Sequence, residues 1–248
     1  MTNLSSFNLF LALLVALLMP KLSSASNFDF PADPELVVNK STGLSVPKGF
    51  ETDLVYKVDR AKYGSWISMT FDHKGRLVVS DQDNAGTFLI ELPEIGKTLS
   101  ESGITKLPLN SGQWGMLYAF DHLYMVSQKR VVRVPVSKSG EYGKEEELFR
   151  LSGGWEHGPH SLIVTEDGTG LYFVAGNYAR NPPYQTSRIP TNWKDDVLLE
   201  NYAYGHNGNG KAPGGWVIRL DPDGSNREMI NMGYRNPCDF ALNRDGEM

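Results

Sequence analysis

Two histidines, an arginine and an asparagine are the side chains of this 248-residue chain that best suit chemistry on a hydroxyl or an ester. His157 and His160 lie in the run EHGPHSL, and Arg235 and Asn236 lie in the later run GYRNP. An imidazole titrates near neutral pH and can accept a proton, whereas a guanidinium stabilises negative charge that builds in a transition state. These residues would serve an oxidation or a hydrolysis if the fold brings them together.

The elements that must position these residues are copies of one strand-turn-strand unit. Copies occur at residues 67–81, 160–176 and 238–248, with a degenerate copy at residues 115–127. A copy begins with alternating apolar residues, passes through a short polar turn and continues in a more evenly apolar run, which is typical of a β-hairpin. Leu77, Leu123 and Leu171 take equivalent positions roughly 46 to 48 residues apart, which is the period expected for the blades of a β-propeller.

The repeat therefore predicts an all-β fold, an incomplete β-propeller of which this chain supplies about the first three to four blades. Apolar runs at residues 87–93, 131–136 and 216–221 are predicted to be third strands of blades. Met248 takes the position of Leu77, so we expect a fragment of a longer protein that is poorly stable alone, because an unclosed ring leaves an open sheet edge. The pattern lapses at about residues 177–215, which predicts a long loop insertion.

The innermost strand of each propeller blade lines the central channel, and the starts of these strands meet at one face. The residues expected to converge there are Trp66, Ser68, Gln113, Trp114, Trp155, Glu156, His157, His160, Arg235, Asn236 and Asp239. The alternative is a polar, water-bridged mouth without chemistry. His157 would then cap a turn, His160 would bond to the backbone and Arg235 would clamp the next blade. His206, in the insertion, is either a lid contact or inert.

Composition excludes several classes of protein. The formal net charge is -5 and Lys and Arg are dispersed, so nucleic acid is not an expected partner. With 40% apolar residues the chain can build a substantial core. Cys238 is the only cysteine in the chain, so no internal disulfide and no CxxCH haem site is expected. Acidic turns at residues 81–84 and 221–224 lack EF-hand spacing, so the metal ligands stay unknown.

The N-terminus has the pattern of an export signal. An apolar run at residues 9–19 precedes Ser23, Ser24 and Ala25, small residues that suit signal-peptidase cleavage. We predict a signal peptide at residues 1–25, a surface extension at 26–48 and the partial propeller at 49–248. The protein is then periplasmic or secreted, and a membrane-anchored or lipid-tethered form is the alternative.

Two motifs resemble a known family. The runs EHGPHSL at residues 156–162 and LYFVAGN at 171–177, followed by GYRNP at 233–237, resemble the signatures of the glucose/sorbosone dehydrogenase superfamily. Its members are six-bladed propellers related to soluble quinoprotein sugar dehydrogenases. The run APGGWVIRLDPDG at residues 212–224 resembles the branch of large bacterial membrane-bound dehydrogenases. The resemblance extends over most of residues 49–248 and implies six blades.

The resemblance also implies a mechanism. His157 would take the proton from a substrate hydroxyl while hydride passes to pyrroloquinoline quinone (PQQ). Arg235 and Asn236 would contact the quinone, and calcium would accompany it. We further expect His160 to help bind the cofactor, and the substrate to be bound by Trp66, Trp114, Trp155, Asp239 and His206. Two departures stand out: His160 replaces a small residue of better-known members, and Cys238 with Asp239 replaces a more neutral pair.

The sequence is compatible with three functions. The first is a dehydrogenase that oxidises a sugar or alcohol and passes electrons to an acceptor domain or a c-type cytochrome in a C-terminal part beyond this sequence. The second is a non-catalytic propeller that binds carbohydrate or a protein partner. The third is a calcium-dependent lactonase, which is less favoured because such propellers need several central carboxylates and this sequence offers few.

Overall fold

The computed structural model describes residues 33–189 and 214–248, and its secondary structure is almost entirely β. The chain divides into two compact units at Asp53. In the first unit, β1 (Leu36–Val38) pairs with β2 (Ser45–Pro47) in an antiparallel hairpin. This hairpin covers part of the predicted extension at residues 26–48, whereas the predicted signal peptide lies outside the described residues. No helix in the described ranges is both long enough and apolar enough to cross a membrane.

The first blade follows a short helix, α1 (Arg60–Tyr63), and is a four-stranded antiparallel meander. Its strands, from inner to outer, are β3 (Trp66–Phe71), β4 (Leu77–Asp81), β5 (Thr87–Ile90) and β6 (Ile104–Leu107), with a 3-10 turn at Glu101–Gly103. The antiparallel pairing of β3 with β4 and the fully buried β5 confirm the predicted hairpin and third strand.

The second blade repeats this order. Its strands are β7 (Gln113–Ala119), β8 (His122–Ser127), β9 (Arg130–Pro135) and β10 (Glu146–Arg150). Phe120 and Asp121 connect β7 to β8 with φ angles of 51° and 56°. A two-residue loop with positive φ at both positions matches the right-handed twist of the strands. This tight loop explains why the copy of the repeat at residues 115–127 is shorter than the others.

The third blade carries the insertion. Its strands are β11 (Pro159–Val164), β12 (Leu171–Ala175), β14 (Gly215–Leu220) and β15 (Glu228–Tyr234), and β13 (Thr186–Ser187) adds in parallel at the outer edge of β15. The second strand β12 pairs directly with β14, so the predicted insertion falls between the second and third strands of this blade. Residues 190–213 lie outside the described residues, and His206 is among them.

The blades pack face to face, with their inner strands side by side, as in a β-propeller. Between the first and second blades, Val78 and Leu89 pack with Leu123 and Met125 in one buried cluster. Between the second and third blades a larger buried cluster contains Tyr124, Val126, Phe173 and Trp216. The inner strands of the first and second blades are also in direct contact. The Ser68 hydroxyl of β3 donates to the Gln113 backbone carbonyl of β7 at 2.7 Å.

The copy at residues 238–248, the fourth copy of the repeat along the chain, differs from the expectation. Residues 238–248 form a turn in which Asn243 and Glu247 pair through the backbone, like the turns of the other hairpins, but no strand is formed. A strand needs a hydrogen-bonded neighbour, and within the described ranges residues 238–242 have none. Phe240 and Leu242 nevertheless pack against Tyr172 and Val174 of the third blade, as the next inner strand would.

Candidate functional site

A β-bulge interrupts the start of each inner strand, and these bulges build the site. The pairing register shifts between Trp66 and Ser68 in β3, between Gln113 and Gly115 in β7, and between Pro159 and Leu162 in β11. A bulge places an additional residue against the partner strand and redirects its side chain. The bulged residues are Ile67, Trp114, His160 and Ser161.

These bulged residues line one open cleft of about 540 Å³. Its described lining is Ile67, Ser68, Met69, Gln82, Trp114, Gly115, Met116, His160, Ser161, Cys238 and Asp239. Cys238 and Asp239 hold the positions of His160 and Ser161 in the fourth copy of the repeat. The lining therefore consists of equivalent positions from four copies together with Gln82, a residue that the sequence analysis did not single out.

His160 is the one histidine in the described lining of this cleft, and it is only 5% exposed. Its Nε2 lies 2.8 Å from Oδ1 of Asn236, and its ring packs edge-on against the Trp114 indole with centroids 5.8 Å apart. An amide oxygen can only accept, so Nε2 carries the proton and Nδ1 is the acceptor of the neutral ring. Asn236 is oriented for this bond, because its Nδ2 donates to the Glu156 carbonyl at 3.3 Å.

The electrostatics keep His160 neutral. Burial lowers its pKa, the hydrogen bond to Asn236 acts in the opposite direction, and nearby His157 lowers the pKa further. The net result is a pKa below the ordinary value. Since unperturbed histidine titrates near pH 6.5, His160 is neutral at pH 7 and able to accept a proton.

His157 lies nearby but does not line this cleft. Its ring is 3% exposed and stacks on Tyr178 with centroids 4.5 Å apart, and its Nδ1 lies 2.8 Å from Oδ1 of Asn177. The backbone N–H of Asn177 in turn donates to the Arg235 backbone carbonyl at 2.9 Å. His157 and Asn177 thus tie the loop before β11 to the loop that carries Asn236.

The approach of these loops requires glycine at position 176. A Cβ there would lie 2.5 Å from the His157 carbonyl oxygen and 2.7 Å from Oδ1 of Asn236. Both distances are too short for a carbon, so Gly176 allows both histidine-bearing segments to close on Asn236. The structure therefore brings His157, His160, Asn236 and the Arg235 backbone together, as the repeat predicted.

The three tryptophans predicted to bind substrate have different environments. Trp114 lines the cleft, whereas Trp66 packs among Tyr56, Tyr63 and Phe88 and donates from Nε1 to the Tyr63 carbonyl at 3.1 Å. Trp155 is 63% exposed and adopts φ of 120°. Such a backbone is strained for a bulky residue. Neither Trp66 nor Trp155 lines the cleft. Asp239 does line it, and Arg235 is exposed beside Asn236.

PQQ and calcium each require particular side chains around them. PQQ carries three carboxylates, which require cations, but the described lining of the cleft contains Asp239 and no Lys or Arg. Calcium requires six to eight oxygen ligands. Within residues 33–189 and 214–248, no group of three His, Cys, Asp or Glu side chains is placed to hold a metal ion. The described part of the cleft does not by itself fit either group.

Comparisons with known proteins give structural likenesses only. No family model and no curated protein matches the chain. Among solved structures, the chain is similar to the holo PQQ domain of pyranose dehydrogenase from Coprinopsis cinerea, with 13% identity and a TM-score of 0.49 over 73% of this chain and 42% of that one.

Two further structures show how varied these neighbours are. The PQQ-bound aldose sugar dehydrogenase from Streptomyces coelicolor has 20% identity and a TM-score of 0.40, over 69% of this chain and 51% of that one. A catalytically inactive virginiamycin B lyase from Staphylococcus aureus, solved with quinupristin, has 12% identity and a TM-score of 0.37, over 73% and 47%. The chain spans about half the length of these proteins, and the likeness concerns the fold alone.

Proposed function

We propose that this chain carries the substrate-binding mouth of an exported propeller that oxidises a hydroxyl group of a sugar or alcohol. The observation that carries the proposal is the position of His160, a buried imidazole that lines an open cleft and is neutral at pH 7. With Nε2 bonded to Asn236, the ring keeps Nδ1 as its proton acceptor. A neutral imidazole within reach of a hydroxyl can take its proton during oxidation.

The other residues of the cleft suit a sugar. The Trp114 indole offers an apolar face for the C–H groups of a pyranose ring. Asp239, Gln82 and Ser68 offer side chains that hydrogen-bond to hydroxyls. A volume of about 540 Å³ lies within the range of small-molecule sites.

The two histidines, His157 and His160, have different roles in this proposal. The resemblance gives the proton-accepting role to His157, and that assignment stays a prediction. The geometry favours contact between His160 and the substrate, with His157 as a positioning residue that acts through Asn177 and the loop bearing Asn236. Arg235, exposed on that loop, would stabilise negative charge on the hydride acceptor.

The hydride acceptor in this proposal is PQQ with calcium, which rests on the two sequence motifs. Because the described lining contains no cation, groups other than the described lining would have to neutralise the quinone carboxylates. Onward electron transfer to an acceptor domain or a c-type cytochrome belongs to the same proposal. Export to the periplasm or the exterior is proposed on the apolar run at residues 9–19.

A second function is favoured by the same lining. A cleft with Trp114 and Asp239 but no described cation suits a neutral carbohydrate better than a tricarboxylate. In that case the propeller binds carbohydrate without oxidising it, and His160 donates and accepts hydrogen bonds only.

Calorimetry and dye reduction separate these functions. The protein is titrated with a panel of sugars and alcohols, then with PQQ in the presence of calcium, and turnover is followed with an artificial electron acceptor. His160→Ala is expected to weaken sugar binding about tenfold, as expected when a hydrogen bond of about 1.4 kcal/mol is lost. It should also reduce any turnover by roughly two to four orders of magnitude. The matched control is His122→Ala, since His122 is the first residue of β8 and, among the described residues, its ring hydrogen-bonds only to the Phe120 carbonyl.

Each result has a distinct meaning. Sugar binding without PQQ binding favours the non-catalytic propeller. A collapse of turnover in His157→Ala with sugar affinity intact, and no such collapse in His160→Ala, would assign the base to His157. If no sugar or alcohol binds, the proposed function is wrong in both forms.

A further inference from the structure

A second open cleft, of about 570 Å³, adjoins the first. It lies over the loop after β4 (Gln82 and Asn84), the segment before β7 (Ser111 and Gly112) and Trp114 in β7 itself. The β8–β9 connection (residues 127–130) and Arg150 at the end of β10 complete its lining. Gln82 and Trp114 line both clefts. A ligand that stacks on Trp114 in the first cleft can therefore extend a substituent into the second.

The second cleft is cationic although the chain as a whole is acidic. Lys129, Arg130 and Arg150 line it, and its described lining contains no Asp or Glu. The formal net charge of the chain is -5, so this concentration of positive side chains differs from the average surface. Cationic groups grouped at a concave site attract anions, because the cleft walls focus the field.

The three cations differ in how far they are already neutralised. Arg130 pairs with Glu145 at 2.7 Å, and Glu145 is itself held by the backbone and side-chain amides of Asn110 at 2.7 to 2.8 Å. Arg130 is thus a fixed, largely balanced charge. Arg150 pairs through Nε with Glu147 at 3.0 Å, and its side chain is 74% exposed. An exposed pair of this kind is weak, so Arg150 can turn to a ligand at little cost.

Lys129 supplies the unbalanced charge. Within the described residues its ammonium group makes no hydrogen bond and no ion pair, whereas its carbonyl anchors the chain by accepting from Leu151. The three cations and the two carboxylates that pair with them leave one net positive charge at this cleft. A monoanion balances that charge, while a dianion would exceed it.

We infer that the substrate is an acidic sugar, and that the carboxylate of a uronate is bound by Lys129 and Arg150 while its ring stacks on Trp114. This inference rests on the proposed function, because it places the ring in the cleft that His160 lines. Gln82, which lines both clefts, lies where the ring and its carboxylate would meet. The shared chemistry is anion recognition, and the charge count selects a carboxylate rather than a phosphate ester.

The test compares glucuronate, glucose and glucose 6-phosphate by calorimetry at low ionic strength. Glucuronate is expected to bind at least tenfold more tightly than glucose, since hydrogen bonds to charged groups contribute at least that factor. Lys129→Met should reduce this preference to about threefold or less without changing the affinity for glucose, and Arg150→Gln should act in the same direction. Raising the salt concentration to 0.5 M should weaken glucuronate binding and not glucose binding, because screening affects only the charged ligand.

The matched control is Lys138→Met, which removes the same charge from an exposed position in the β9–β10 turn. It should leave the preference for glucuronate unchanged. Equal binding of glucose and glucuronate would overturn the inference and leave the proposed function intact. Tighter binding of glucose 6-phosphate than of glucuronate would show a phosphate site instead. If none of the three binds, both the inference and the proposed function fail.

Discussion

We expect Gly115→Ala to push the second and third blades apart and, at the same time, to disturb the candidate site. Gly115 lies in β7 directly against β11, and a Cβ at this position would fall 2.0 Å from the His160 carbonyl oxygen and 3.2 Å from the Ser161 Cα. A carbon and a carbonyl oxygen normally approach to about 3.3 Å. The inner strands must therefore move apart by roughly 1 Å, and the atom that must yield is backbone rather than a flexible side chain.

The cost of this change follows from packing alone. The φ angle of Gly115 is not in the left-handed region, so alanine suffers no backbone strain there. Overpacking of a well-packed interior costs about 1–3 kcal/mol, and a backbone clash of this severity lies at the upper end, near 3 kcal/mol. With a urea m value of about 2–3 kcal/mol/M for a chain of this size, the unfolding midpoint should fall by about 1–1.5 M.

The assay is urea unfolding of the protein, followed by tryptophan fluorescence, together with calorimetry of sugar binding. Affinity should fall about tenfold, because His160 moves with β11 and a site displaced by about 1 Å is too loose. Gly168→Ala is the matched control in the turn at the other end of β11. It meets open space but adopts φ of 68°, so its cost is only the backbone strain of about 1 kcal/mol. If Gly115→Ala shifts the midpoint no more than Gly168→Ala does, the reasoning about strand contact is refuted.

Two further changes test other parts of the blades. Asp81 is only 2% exposed, and its carboxylate accepts hydrogen bonds from the backbone N–H groups of Ser65, Asp83 and Ala85 at 2.6 to 2.9 Å. Burial raises the pKa of this carboxylate, but the hydrogen bonds outweigh burial and hold the pKa below its ordinary value. The stability it contributes is present above an unfolded pKa near 4 and is lost as pH falls through the lower folded value. Asp81→Asn should therefore lower the free energy of unfolding by about 2 kcal/mol at pH 7. At pH 2.5 the difference between the variant and the unchanged protein should be smaller, and urea unfolding that shows the same difference at both pH values would contradict this reasoning. Trp216→Phe should lower the free energy of unfolding in denaturant by about 2 kcal/mol. The fully buried Trp216 donates from Nε1 to the Ala179 carbonyl at 2.9 Å, and this carbonyl would lose its partner. Unchanged stability would count against that hydrogen bond.

The inner three strands of each blade could be predicted from the sequence, whereas the outer ones could not. Strands such as β5 and β12 are buried on both faces, so their apolar runs identify them. The outer strands β6 and β10 carry polar residues, Lys106 in the first and Glu146 and Glu147 in the second. Charged residues protect a sheet edge but remove the alternation that indicates a strand. The two residues of β13 have no apolar pattern at all, and they are strand because they pair with β15.

The repeat predicted only part of the candidate site. Counting from the repeat correctly placed the starts of the inner strands at one face, but it missed Asn177 and Gln82. Both follow the end of a second strand, and antiparallel pairing sets that end beside the start of the first, as Trp66 opposite Asp81 shows. A polar residue just after each second strand was therefore a usable signal. The bond from Asn177 to His157 could not have been read from spacing, because it depends on a loop conformation that Gly176 permits.

The bulges explain why this face carries varied chemistry on a regular fold. In a regular strand a one-residue change of register would turn every apolar side chain out of the core. A bulge confines the change to one place, so the ladder and the core resume unchanged after Ser68, Gly115 and Leu162. The position just after the strand begins is thereby released from the demands of packing. It holds Ile67, Trp114, His160 and Cys238 in the four copies, which are four unrelated side chains at one repeated position. The fold fixes where these side chains lie, and their identities alone determine what the cleft can bind.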